Sequence, residues 1–318
     1  MFWSLVSLLV VLLVVRGIVW LARSFFAWLG RGKPIERASK GENVPPDVQE
    51  AALALKVYHQ EKKLAKELGH EIDVPSRLSH SQLREVRRAE RLVRAYFIDN
   101  LHLGWYQIVI LFIIGSVGGL VLEEIWMFIT AGLTQSRVGL VWGPFSPLYG
   151  VGTVLLTIIS LQLRKKHAKW WQVFLVAMVV GGLLEQVTGW SMETFMGAVS
   201  WDYSHVWGHI TKWVALPFLG FWGILGLIWC NIVTPWLLTQ IGEPTTKRQV
   251  TFVFILAVYL AADISMTLMC FQRRAARDAG IAPRNAFEQW VDERYSNEFM
   301  SNRFQNMVIT AAGGDSQV

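Results

Sequence analysis

Long apolar stretches alternate with short polar connections from residue 105 onwards. The apolar stretches are 105–131, 148–163, 170–190, 213–238 and 249–271. A membrane-spanning α-helix needs about 20 apolar residues to cross a hydrocarbon core of roughly 30 Å, and these stretches approach or exceed that length. The pattern therefore predicts five core helices that cross a membrane.

A sixth apolar stretch, residues 2–22, lies near the N-terminus. A cleaved signal peptide is the alternative to a retained anchor, but it would need a basic region before the stretch and a small-residue cleavage site after it. The sequence has neither feature. We therefore expect residues 1–30 to form an N-terminal membrane anchor.

Residues 31–104 are polar and charged, unlike the stretches on either side. They contain a linker and two segments with helical patterning, 47–71 and 81–100. In the second segment arginines are interleaved with Leu83, Val86, Leu92 and Val93. This pattern suits an amphipathic helix that lies against anionic lipid headgroups, and a solvated helix with ordinary charge pairs is the alternative.

The composition supports a membrane protein over a soluble one. Of the 318 residues, 53% are hydrophobic and only 17% are charged, and the mean hydropathy is +0.35. The net charge of +6 could suggest nucleic acid, but the basic residues lie mainly at the ends of apolar stretches, where membrane topology explains them. We predict an all-α, polytopic transmembrane bundle over residues 105–271, followed by a helical tail at 272–318.

The distribution of basic residues predicts the orientation of the bundle. Residues 31–104, 164–169 and 247–248 carry most of the positive charge between the spans, so the positive-inside rule places them in the cytoplasm. We expect a multi-pass protein of the cytoplasmic membrane. With six spans, however, the arginine-rich start of the tail would lie outside, against the rule. A re-entrant or missed segment would remove this conflict.

Glu123, Glu185 and Asp263 are acids that fall inside three different predicted spans. At about 1.5 Å per residue they lie roughly 27, 22 and 21 Å from the cytoplasmic starts of their helices, which places all three in the outer half. Ionisable residues within a bilayer are costly and often mark functional sites. Two roles stay open for them: a structural role, with neighbouring donors as partners, or the binding of a cation, a proton or an amine.

The connection at 141–150 also belongs to this outer half. Pro144 and Pro147 each remove a backbone donor, so the connection cannot be regular helix throughout. Irregular backbone at membrane depth has to be covered by protein or to line a cavity. We expect the connection to dip inward as a cap over the acids, and a plain tight loop is the alternative.

Asp202, His205 and His209 have a D-x2-H-x3-H spacing that could place two imidazoles on one helical face. Zinc sites use such sets of ligands, but this spacing matches no recognised metal motif. We therefore predict no metal site and no cofactor.

A series of short motifs runs through the core region. They are SVGGLVLEEIW (116–126), RVGLVWGPFSPLYG (137–150), LLEQVTGWSMETF (183–195), WDYS (201–204), WGHI (207–210) and AADIS (261–265), with a continuation in ERYSNEFMSNRFQNM (293–307). Together they resemble the ABC-transporter type IV family of integral membrane proteins. The first hundred residues lie outside this resemblance.

The resemblance implies an ABC-type permease with a buried acidic and aromatic site. The substrate-binding residues it suggests, together with those named above, are Glu123, Tyr149, Glu185, Glu193, Trp201, Asp202, Tyr203, Ser204, His209, Asp263 and Ser265. The residues it suggests for a structural loop are Gly143, Pro144, Pro147 and Gly150. The family often has Arg at the position of His209.

The partners follow from the same considerations. The chain contains no G-x-x-x-x-G-K-[ST] phosphate-binding loop, so a permease of this kind would be driven by a separate ATPase subunit. Membrane lipids are the other expected partners, nucleic acid is not expected, and the sequence does not predict the oligomeric state.

Two other functions stay open. A membrane-embedded enzyme acting on a lipid or isoprenoid could use Glu185 and Asp263 as acid and base. Alternatively, an envelope assembly factor could hold a partner through the amphipathic region 47–100.

Overall fold

The computed structural model describes residues 13, 16–17, 19–29, 34–41, 43–67, 79–132 and 134–309. Residues 19–28 are helical. The helices that follow are α1 (Pro34–Lys40), α2 (Pro46–Glu67), α3 (His80–Asp99), α4 (Trp105–Ala131), α5 (Pro147–Lys165), α6 (Trp170–Ser191), α7 (Leu216–Ile228), α8 (Thr234–Ile241), α9 (Lys247–Asp278), α10 (Ala286–Arg294) and α11 (Asn297–Arg303). The short strands are β1 (Ala198–Val199), β2 (His209–Thr211), β3 (Val214–Ala215) and β4 (Val308–Ile309).

The predicted all-α fold is confirmed. In the described part of the chain five helices are long and apolar enough to cross a membrane: Trp105–Ala131, Pro147–Lys165, Trp170–Met196, Leu216–Ile241 and Lys247–Asp278. Their number and order agree with the five predicted core spans, and the chain is a multi-pass membrane protein. Most of the predicted anchor, residues 1–30, and residues 310–318 of the predicted tail lie outside the described residues.

Two of these spans contain a π-helical turn. The third span continues from α6 through Met192–Met196, and the fourth joins α7 to α8 through Trp229–Val233. Such turns widen the helix locally and are frequent at functional sites.

The chain divides into two compact units, one within residues 1–107 and 233–249 and the other within 108–232 and 250–318. In the first unit α1, α2 and α3 pack around a small apolar core of Ala38, Val48, Ala52, Leu55 and Val93. Val86 of α3 packs against the same core. The apolar face of α3 is therefore packed against α1 and α2, and the predicted contact of this helix with anionic lipid headgroups stays a prediction.

Close helix packing in the second unit depends on glycine. A Cβ atom at Gly181 of α6 would lie 2.1 Å from Cγ of Trp222 in α7, and one at Gly189 would lie 2.2 Å from Cδ1 of Trp213. Since glycine has no side chain, the two indole rings lie directly against the α6 backbone. This contact fixes the spacing of the third and fourth spans.

The C-terminal tail packs onto the connections at one end of the second unit. Strand β4 pairs antiparallel with β1, and Phe271, Phe304 and Met300 share an apolar cluster with Val141 and Ala198. We call this end the loop end, and it comprises residues 134–146, residues 197–215 and the tail 279–309. In the described residues the fifth span leads directly to the tail at this end, with no further membrane-length helix between them.

The arginines that conflicted with the positive-inside rule have acidic partners at the loop end. Arg273 pairs with Asp292 and Glu288, and Arg277 pairs with Asp292. The arginines also hold the pKa of the Asp292 carboxyl below its usual range, Arg273 having the larger effect. Because their charge is compensated locally, these arginines do not present a free positive patch on that side.

Candidate functional site

Asp263 of α9 is fully buried and holds the connection after α4. Its Oδ1 accepts a hydrogen bond from the Trp142 backbone N–H at 3.0 Å, and its Oδ2 accepts one from the Gly143 N–H at 3.1 Å. Thr267, one turn further along α9, accepts a hydrogen bond from the Val141 N–H at 2.9 Å. Both oxygens of Asp263 thus satisfy backbone donors that the irregular connection leaves unpaired.

The predicted structural-loop residues surround this contact. Gly143 is buried, and a Cβ there would lie 2.1 Å from the Phe145 ring. Pro147 is the first residue of α5, where its missing N–H has no cost. A Cβ at Gly150 would meet Ser116 and Phe112 of α4, and Pro144 is exposed.

The tail holds the same connection from its other side. The guanidinium of Arg303 in α11 donates to the carbonyl oxygens of Leu140 and Gly143, at 3.0 and 2.7 Å. The Trp142 indole N–H donates to the Tyr295 hydroxyl at 2.8 Å. Residues 140–143 are therefore bonded to Asp263 on one side and to the tail on the other.

Glu123 of α4 is compensated by a positive charge. Its carboxylate accepts a hydrogen bond from Nε of Arg137, and the two side chains are 22% and 13% exposed. The Tyr149 hydroxyl lies in hydrogen-bonding range of the same carboxylate. A Cβ at Gly119 would lie 2.3 Å from Cγ of Tyr149, so this glycine lets the tyrosine ring approach α4.

Glu193, in the π-helical turn that follows α6, also has a cationic partner. Both of its carboxylate oxygens lie 2.9 Å from Nζ of Lys212. The ammonium group lies 5.9 Å from the centre of the Trp213 ring, which adds a cation–π contact. Both side chains are partly exposed, so this pair lies at the rim of the site.

Glu185 of α6 differs from the other acids because it has no cationic partner in the described residues. It is only 7% exposed, and its Oε2 is buried without a hydrogen-bond partner there. The Trp222 indole lies within hydrogen-bonding reach of the carboxylate. A buried carboxylate with one free oxygen can take up a proton or bind a cationic group.

Tyr203 connects Glu185 with Glu123 electrostatically. Burial first, and then the carboxylates of Glu185 and Glu123, raise the pKa of the Tyr203 hydroxyl well above its usual value. The hydroxyl therefore stays protonated and remains a donor. Its ring stacks on Phe218 at 4.2 Å between centroids and 10° between planes, which fixes the side chain beside the acids.

The structure assigns local contacts to five other predicted site residues. The Trp201 indole donates to the Trp213 carbonyl at 3.2 Å. Asp202 is exposed and accepts a hydrogen bond from the Ser204 N–H at 2.8 Å, and its hydrogen bonds with Ser204 lower the pKa of its carboxyl. His209 is exposed on β2, and the exposed Ser265 donates to the Ala261 carbonyl of its own helix. Within WDYS, therefore, Tyr203 is the residue whose hydroxyl lies within electrostatic range of Glu185 and Glu123.

Arg137, Lys212 and Trp222 belong to the site but were not predicted as site residues. A charge count could have identified Arg137 and Lys212, because they are nearly the only basic residues in the outer connections of the core. Two cations set against Glu123, Glu185, Glu193 and Asp263 leave two of these acids to find other partners. No spacing rule identifies Trp222, since its contact with α6 depends on tertiary packing at Gly181.

An open groove of about 520 Å³ lies beside the acids, between α6, α7 and the β2–β3 hairpin. Its lining is almost entirely apolar and includes Leu175, Val179 and Leu183, which are exposed on the outside of the bundle. None of the four acids lines this groove. The groove is therefore a lipid-facing surface, separate from the polar cluster of Glu123, Tyr149, Glu185 and Tyr203.

No curated protein and no solved structure matches the chain. The family described as Putative ABC-transporter type IV matches residues 110–268, half of the chain. The matched range contains Glu123, Glu185 and Asp263 but ends before residues 293–307, so the predicted continuation of the resemblance there stays a prediction. The chain belongs to the Putative ABC-transporter type IV family.

Proposed function

We propose that this protein is the membrane-embedded permease of an ABC-type transport system in the cytoplasmic membrane. Its family and the five membrane-length helices of the described residues support this role. The energy would come from a separate ATPase subunit. The substrate site would be the polar cluster of Glu185, Tyr203 and Trp222, with Glu123 and Tyr149 beside it.

The observation that carries the proposal is the buried Oε2 of Glu185, which has no hydrogen-bond partner among the described residues. An ionised carboxylate in low-dielectric surroundings is strongly unfavourable without a compensating charge. Arg137, Lys212 and backbone amides serve the other three acids, whereas Glu185 has the Trp222 indole within reach. A proton or a small cationic substrate would satisfy Glu185, and the aromatic rings around it would favour a cation.

The purified protein allows a direct test of cation binding. Its melting temperature in detergent is measured with Na⁺, K⁺, ammonium, choline and spermidine, and over a range of pH, for the wild type, Glu185→Gln and Glu193→Gln. We expect at least one of these conditions to raise the melting temperature of the wild type and of Glu193→Gln, but not that of Glu185→Gln. The site assignment is refuted if no condition does so, or if Glu185→Gln responds like the wild type.

The transport role has its own test. The protein is reconstituted in liposomes with and without a candidate ATP-binding subunit from the same genome. We expect the cation identified above to stimulate ATP hydrolysis and to accumulate on one side of the membrane in an ATP-dependent manner. Cation binding without any ATP-dependent accumulation would argue for a different use of the same site.

The geometry gives less support to a membrane-embedded enzyme. That alternative needs Glu185 and Asp263 as an acid–base pair, but backbone N–H groups of the connection occupy both oxygens of Asp263. These contacts favour a structural role for Asp263 over proton transfer. Glu185 would then have to act without the predicted second carboxylate.

A further inference from the structure

Five arginines form a continuous basic surface on α3 in the first unit. They are Arg84, Arg87, Arg88, Arg91 and Arg94, and all are exposed. At 100° per residue they fall within an arc of about 120° on the helix. We call this surface the arginine face.

The opposite side of α3 is already occupied by protein. Val93 is 1% exposed and belongs to the core shared with α1 and α2, and Val86 and Ala89 pack against that core. A hydrophobic partner therefore has no apolar face of α3 to bind. The surface left for a partner is the charged one.

The arginine face has no acidic partner within the described residues. Arg84 and Arg91 donate to the carbonyl oxygens of His80 and Arg87 on their own helix. None of the five arginines takes part in an ion pair there, whereas Arg37 of the same unit pairs with Glu243. The five positive charges are thus available to an external anionic partner.

The position of α3 in the chain places its C-terminal end next to the first span. Five residues separate Asp99, the last residue of α3, from Trp105, the first residue of the first span. Within the first unit α3 also contacts α8, the end of the fourth span. Clusters of four to eight basic residues next to a transmembrane helix are typical of surfaces that bind anionic lipid headgroups.

We propose that the arginine face binds the headgroups of anionic phospholipids. An open groove of about 370 Å³ among His80, Leu83, Arg84 and Arg87 offers a place for a phosphodiester group. Guanidinium groups suit this ligand, because they donate two parallel hydrogen bonds to phosphate oxygens. The interaction is electrostatic, and it does not require insertion of the helix between lipids.

Arginine footprinting on the intact protein tests the proposal. The protein is reconstituted in nanodiscs of phosphatidylcholine alone or mixed with phosphatidylglycerol, and the rate of phenylglyoxal modification is measured at each arginine. We expect the five α3 arginines to react several-fold more slowly in the anionic nanodiscs and to recover in high salt. The exposed Arg284 and Arg294 of the tail serve as references.

A matched pair of variants measures the affinity. Each basic residue near an anionic surface contributes about a fivefold change in affinity, so we expect Arg87→Gln/Arg88→Gln/Arg91→Gln to bind phosphatidylglycerol about a hundredfold more weakly in native mass spectrometry. The control is Lys56→Gln/Lys62→Gln/Lys63→Gln, which removes the same charge from exposed positions of α2. We expect this control to bind phosphatidylglycerol as the wild type does.

Three results would overturn the proposal. The first is equal modification of the arginines in both kinds of nanodisc. The second is equal loss of lipid binding in the two triple variants, which would show a general charge effect. The third is protection in native membranes but in neither nanodisc, which would point to a protein partner such as the ATPase subunit instead.

Discussion

Buried acids of the same chemistry have different roles in this protein because their partners differ. Asp263 accepts two backbone hydrogen bonds and closes an irregular connection, whereas one oxygen of Glu185, beside Trp222, has no hydrogen-bond partner in the part of the chain that the structure describes. The loss of folding free energy on replacing a carboxylate depends on which donors or cations lose their partner. The two acids should therefore respond differently to the same amide substitution.

We expect Asp263→Asn to destabilise the protein by roughly 1–3 kcal/mol. An amide has one acceptor oxygen, and its NH₂ group would face one of the two N–H donors of Trp142 and Gly143. Glu185→Gln should change the stability by less, because no cation among the described residues pairs with Glu185. Unfolding in detergent, followed by circular dichroism, compares the two variants, and an equal loss of stability in both would contradict the assignment of roles.

At the level of elements, glycines decide how closely the spans approach the aromatic residues of the site. Gly119 of α4 lies against Tyr149, and Gly181 of α6 lies against Trp222. Neighbouring glycines do not share this role, since a Cβ at Gly118 would meet nothing within 4 Å. Adjacent positions on one helix thus provide a site variant and its control.

We expect Gly119→Ala to displace the Tyr149 ring and to destabilise the protein by roughly 1–3 kcal/mol. Gly118→Ala adds the same methyl group in open space and should leave the melting temperature unchanged or slightly raised. The cation response expected for Glu185 should also weaken in Gly119→Ala. Equal melting temperatures for the two variants would show that α4 can move away from Tyr149 without a loss of stability, which would contradict this prediction.

The sequence predicts the spans well because their length and hydropathy are local properties. Apolar stretches alone locate all five core spans, and prolines mark the irregular connection after α4. The partners of the acids are not local. Asp263 is bound by amides 120 and 121 positions away, and no spacing rule relates Glu185 to Trp222. For α3 the pattern identified an amphipathic helix but not what covers its apolar face.

For the whole molecule, the loop end depends on charge pairs between α9 and the tail. Asp292 bonds to both Arg273 and Arg277, which lowers the pKa of its carboxyl. A carboxyl with a lowered pKa in the folded state stabilises that state above the unfolded pKa of about 4. This stabilisation is lost as the pH falls through the lower, folded value.

We therefore expect the tail to loosen when the pH falls below about 4. Limited pepsin digestion at pH 2–3 should cut within residues 279–309 before it cuts the spans, whereas the tail should be protected from a neutral protease at pH 7. Asp292→Asn should make the tail sensitive at pH 7, while Glu293→Gln on the exposed side of α10 should not. Equal resistance of the tail in the wild type and Asp292→Asn at pH 7 would contradict this account.

The hydrogen bonds of Arg303 to the connection after α4 also have a consequence for biogenesis. The connection at 139–143 leaves the ribosome long before α11, which supplies the guanidinium that holds it. All five spans can therefore enter the bilayer while this turn is bonded to Asp263 but not yet to Arg303. A late truncation that spares every span would release proteins that insert normally yet mature poorly, and quality-control proteases would be expected to remove them.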